Sequence, residues 1–153
     1  MPKLIKHGQI VDDTWLPADP AATPAANQIC TLAQWLELTD KKDTAVQLQA
    51  DEPPAPLLDN LDDLTLIVMH FEGFMDGRSF SYARELRERG YTGELRASGH
   101  FIRDQLTFLS RLGVDAFAMA DETELAGAIS SLQDFSEYYQ ASIDQPLPLF
   151  RRR

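Results

Sequence analysis

The chain has 153 residues, 44% of them hydrophobic and 25% charged, with a formal net charge of −10. That length suits one domain burying roughly two thirds of its unfolded surface. The acidic balance excludes broad binding to nucleic acid or an anionic membrane, since both need a basic face. A single cysteine, Cys30, excludes an internal disulfide and any cluster that needs several thiolates, which fits a reducing, cytoplasmic location.

The opening MPKLIKHGQIVDD lacks the apolar core of a signal peptide, and the longest apolar run, Leu64–Met69, is strand-sized rather than membrane-spanning. Leu4–Val11 has strand character, and Pro17, Pro20 and Pro24 then enforce an extended connection. Thr31-Leu-Ala-Gln34 has the form of a helix capping box, with Leu32, Trp35 and Leu36 on one apolar face and an end near Thr39-Asp40.

From Thr44 the pattern alternates. Thr44–Gln49 reads as a half-buried strand, and a short helix is expected around Pro56–Leu61. Leu64–His70 is a nearly continuous apolar run, as in a strand buried on both faces. Helix Arg78–Arg89 stops at Gly90, strand Glu94–Ala97 follows, and helix His100–Leu112 stops at Gly113. Val114–Met119 is a further strand and Glu122–Leu132 a further helix.

The predicted fold is therefore α/β, a mainly parallel sheet with helices packed on it, either an open sheet or a partial (β/α) barrel. A full eight-stranded barrel takes roughly 250 residues, more than this chain has. Residues 1–43 form an irregular N-terminal segment with a strand and a short helix, 44–133 the β/α core, and 134–153 a C-terminal extension, all within one domain.

Positive charge is concentrated between Arg78 and Arg111, where seven arginines face Glu85, Glu88, Glu94 and Asp104. Ligands of parallel α/β proteins bind beyond the carboxyl ends of the strands, where helix N-termini point outward. That edge is predicted to carry His70 and the FEGFMDGRS loop, then Arg96, Ser98, Gly99 and His100. Asp76, Gly77, Arg78, Arg96, Ser98 and Gly99 are the candidate anion-binding residues, and His100, Asp76 and Asp104 the candidate proton-transfer groups.

Structural roles account for much of the remaining charge. Asp76 or Ser79 caps the following helix, and Arg84 with Glu88 and Glu85 with Arg89 are spaced as surface ion pairs. Arg87 and Gln105 fall on the apolar faces of their helices, so each needs a buried polar partner. Cys30 reads as a small, partly buried residue. His7, His70 and His100 have no metal-ligand spacing, no GxGxxG follows a strand, and no cofactor site is evident.

The ordered strings D-G-R, A-R-x-L-R, G-Y-x-G-x-L-R-A and R-D-Q-L, from about Leu66 to Met119, resemble the bacterial family catalogued as domain of unknown function 934. The motif residues are Asp76, Gly77, Arg78, Tyr82, Arg84, Arg87, Gly93, Arg96, Gly99, Arg103, Asp104 and Gln105, while His100 departs from the acid at the family position. The resemblance implies an oxidoreductase or an accessory protein linked to assimilatory sulfite reductase. With no redox motif in the chain, the accessory role beside a cofactor-bearing enzyme is the expectation. Its partners would be sulfite reductase or another sulfur-assimilation enzyme and a small oxyanion. The alternatives are a small enzyme, an oxidoreductase included, acting on an anionic metabolite, or a homo-oligomeric scaffold joined through Tyr138, Tyr139 and the PLPLF tail.

Overall fold

The computed structural model describes residues 3–19, 21–71, 77–99, 103–119 and 125–134. Strands β1 (Lys3–Lys6), β2 (Gln9–Asp12), β3 (Leu16–Pro17), β4 (Gln28–Thr31), β5 (Thr44–Leu48), β6 (Leu64–Phe71), β7 (Glu94–Gly99) and β8 (Ala116–Met119) form one sheet. Helices α1 (Leu32–Glu37), α2 (Gly77–Glu88), α3 (Arg103–Arg111) and α4 (Leu125–Asp134) accompany it, with a 3-10 helix at Ala55–Asp63.

The four strands expected from the sequence, β5 to β8, are present, parallel and adjacent in chain order. Alternation within β6 explains its unbroken apolar run. Ile67, Met69 and Phe71 enter the main core with Leu86, Leu106 and Ala128 of the helices, whereas Leu66 and Val68 join a second cluster with Ala45. Moving one strand along at each right-handed crossover puts every helix on the same face. Gly90 and Gly113, at φ +96° and +100°, end α2 and α3 in the left-handed conformation, and the N–H groups of Tyr91 and Val114 close the last turns on Leu86 and Leu109.

The N-terminal region is more ordered than its sequence suggests. Leu4–Val11 is a hairpin rather than one strand. His7 and Gly8 both take positive φ (52° and 78°), and this two-residue turn matches the twist of the flanking strands. β1 pairs antiparallel with β8 at one side of the sheet, and β4 and β3 extend it beyond β5 at the other. The capping box is formed as expected, with Gln34 N donating to Thr31 Oγ1 (3.2 Å) and Thr31 N to Gln34 Oε1 (2.9 Å). α1 ends at Glu37, earlier than the spacing predicts, and Leu36 is 50% exposed while Trp35 is fully buried.

The strand order is β2-β1-β8-β7-β6-β5-β4-β3, so β2 and β3 lie at opposite edges. A flat sheet of this size would separate them by roughly 34 Å at ~4.8 Å per strand. Yet three residues join Asp12 to Leu16, a reach of at most ~14 Å at 3.6 Å per residue. The sheet must therefore curl into a half-barrel, helices outside, with residues 13–15 drawn across its inner face. The N-terminal third of the chain thus belongs to the same single α/β domain as the rest.

Candidate functional site

At the carboxyl edge β6 and β7 end side by side, His70 opposite Ser98 and Phe71 opposite Gly99. Alternation from Val68 and Arg96 places both polar side chains on the inner face. His70 Nδ1 and Ser98 Oγ lie 3.0 Å apart, with donor and acceptor set by the imidazole tautomer. Gly99 has φ +104°, and a Cβ there would lie 2.2 Å from the Phe71 carbonyl oxygen and 3.1 Å from His70 Cε1. Only glycine lets the two strands end this close together.

α2 begins at Gly77, shortly after β6, and α3 at Arg103, shortly after β7, so both helices start from this same edge, where first-turn amides have no partner within the helix. Of the candidate residues, Gly77 opens α2, and Arg78 and Asp104 lie in the first turns of α2 and α3. The side chains of Arg78 and Asp104, and Asp76 and His100 altogether, lie outside the described residues, as do Tyr138, Tyr139 and the C-terminal tail.

Arg96 requires a correction. It stands in mid-strand, 4% exposed, opposite Val68 and Ala116. Its Nε and Nη2 donate to Glu94 Oε2 at 2.9 and 2.7 Å, and its Nη1 to both oxygens of Asp13 at 3.1 Å. Lys6 of β1 reaches the other oxygen of Glu94 at 2.7 Å. Burial pushes the Glu94 carboxyl up, but Lys6 and Arg96 together more than offset that and hold it below its ordinary value. Two cations thus face two carboxylates on the inner face, and the Arg96 guanidinium is already bound.

Arg87 follows its sequence reading. Nε donates to the Gly113 carbonyl and Nη1 to those of Tyr91 and Gly93, each at 2.9 Å, and the guanidinium lies 5.5 Å from the centre of the Tyr91 ring. Asp115 stands 3.7 Å from Nη2 and accepts from Leu95 N at 2.8 Å. All of these lie toward the amino ends of the strands, away from the His70–Ser98 edge. Burial pushes the Asp115 carboxyl up despite the Leu95 amide and Arg87. Gln105 is buried, as its helix face implied, and Arg84 with Glu88 is an exposed pair at 3.1 Å. Cys30 is buried in β4 against the helices, and burial pushes its thiol up, the opposite of an activated cysteine.

The described residues also form an open depression at the amino ends of β4 and β5, lined by Pro24, Gln28, Leu38, Lys42 and Thr44 among others. It lies away from the His70–Ser98 edge. Among the described residues no three His, Cys, Asp or Glu side chains converge as a metal site. No described helix is long and apolar enough to cross a membrane.

A curled, mostly parallel sheet with its outer face covered by helices defines an α/β protein of the partial-barrel type. Residues 45–150, most of the chain, match the model of the family described as "Bacterial protein of unknown function (DUF934)", and the chain belongs to that family. No curated protein and no solved structure matches it.

Proposed function

We propose that the protein is a cytoplasmic accessory component of sulfite reduction in sulfur assimilation, holding a small oxyanion, or an acidic group of a partner enzyme, at the carboxyl edge of its sheet. The observation that supports this reading is the His70–Ser98 pair beside Gly99, on the edge where α2 and α3 begin. Whichever tautomer holds, the hydroxyl–imidazole pair keeps one proton to donate outward, and its place at the edge where helices start, with no carboxylate of β6 or β7 beside it, supports an oxyanion there. Asp76, Gly77, Arg78, Ser98 and Gly99 remain the proposed contacts, joined by His70. Arg96 leaves that set because Asp13 and Glu94 occupy it.

Calorimetric titration with sulfite and with sulfate tests the reading. Binding by the native chain is expected, weakened roughly tenfold in Ser98→Ala, the equivalent of about 1.4 kcal/mol for one lost hydrogen bond to an anion. Capture of sulfur-assimilation enzymes from sulfate-limited cells is the companion experiment. Absence of both binding and capture would sink the proposal. The pairing of a hydroxyl with an imidazole at 3.0 Å favours, as a second reading, a small enzyme acting on an anionic metabolite. Turnover of such a metabolite, abolished by His70→Ala in a folded protein, would select it.

A further inference from the structure

Residues 13–15 are the whole connection between the two edge strands of the curled sheet. β2 runs in the same sense as β8, so Asp12 ends it toward the carboxyl edge, while Leu16 opens β3 at the amino end. The segment therefore descends the inner face. Asp13 holds Arg96 Nη1 through both carboxylate oxygens, and Trp15 packs on Ala45, Leu66 and Val68. Trp15 N donates to Asp13 Oδ1 at 3.0 Å, so the three residues are folded on themselves as one unit.

Charge identifies Asp13 as a ligand supplied by the chain itself. Lys6 and Arg96 face Glu94 and Asp13, so removing Asp13 leaves a net positive group around the buried Arg96 guanidinium. Its removal would also leave Nη1 of Arg96 open, beside an apolar floor. Yet the strand that follows the segment is short and lightly held. β3 has two residues, Leu16 and Ala18 donate to the Asn27 and Ile29 carbonyls, and Thr14, Leu16 and Pro17 are exposed. The face beneath it is built on β6 and β7, paired over six residues.

We propose that Asp13–Trp15 is a detachable strap that acts as an internal ligand, and that the site it covers takes an aromatic carboxylic acid when the strap lifts. Arg96 receives the carboxylate and Ala45, Leu66 and Val68 receive the ring, as they now receive Asp13 and Trp15. The proposal is independent of the carboxyl-edge site, because it uses none of the same residues.

Hydrogen exchange on the unaltered chain is the first test. The Leu16 and Ala18 amides should exchange roughly a hundredfold faster than those of β6 and β7, because the strap opens without global unfolding. Equal rates would overturn the proposal. The second test is calorimetry with indole-3-propionate, a carboxylate tethered to an indole. The Asp13→Ala/Trp15→Ala double variant should bind it at least tenfold more tightly than the native chain, and adding Arg96→Gln should abolish the gain. A folded double variant that binds no better, or binding indifferent to Arg96→Gln, would also overturn it. Should the double variant fail to fold, the exchange rates of the native chain decide alone.

Discussion

Replacing Arg87 with alanine should destabilise the fold by about 3–4 kcal/mol, measured by denaturant unfolding, more than any substitution of an exposed charge. Arg87 ties the end of α2 to two separate connections, α2–β7 through Tyr91 and Gly93 and α3–β8 through Gly113. Truncation strips three carbonyls of a charged donor and empties the space its stem fills. That space exists because residue 113 has no side chain: a Cβ there would lie 2.7 Å from Arg87 Cγ. Arg87→Lys should recover little, because an ammonium cannot reproduce the planar fork that reaches all three carbonyls. The loss should also depend on pH. The Asp115 carboxyl is already raised by burial, so its ionised form weakens the fold as pH rises through the folded value. Removing Arg87 raises it further. The deficit should be larger at neutral pH than below the ordinary carboxylate range, and an equal deficit at both would exclude Asp115 from the network.

How much of this could be read from the chain divides along sequence separation. The capping box at Thr31, the helix ends at Gly90 and Gly113 and the inward cant of Arg87 are local patterns, and each is seen as expected. The β6 run declared its burial through composition alone. The His7-Gly8 turn was also local, but a polar residue at positive φ gives a weaker signal than Asn-Gly, so the hairpin passed for one strand. β4 is four residues long and leads straight into α1, too short for a period to emerge. The partner of Arg96 lies 83 residues away, and that of Ser98 lies 28 away, so neither contact is written in any window. One signal for Arg96 was present. In Glu94-Leu-Arg-Ala-Ser98 the polar residues alternate, which sets Arg96 on the same face as Glu94 and within reach of it. Positive charge near a strand end suggested a ligand, where alternation pointed to an internal pair.

Arg96→Ala separates those two roles. An arginine kept for a ligand can be removed with the fold intact, whereas here the variant should lose about 3 kcal/mol, the low end of the cost of breaking a buried ion pair. The value sits at the low end because Glu94 retains Lys6 and the Asp13 side chain keeps some contact with water, 14% exposed. Paired with Asp13→Ala in a double-mutant cycle, the two changes should be strongly non-additive, by about 1–3 kcal/mol, since they share one contact. The pH dependence carries the opposite sign of origin from Asp115. The Glu94 carboxyl lies below its ordinary value, so its stabilising contribution is present above the unfolded value and is lost as pH falls through the folded one. Deleting Arg96 removes one of the two cations that hold it down, so the native chain's advantage should narrow in acid. A variant that stayed as stable as the native chain at neutral pH would return Arg96 to the ligand-binding set and remove the strap's anchor with it.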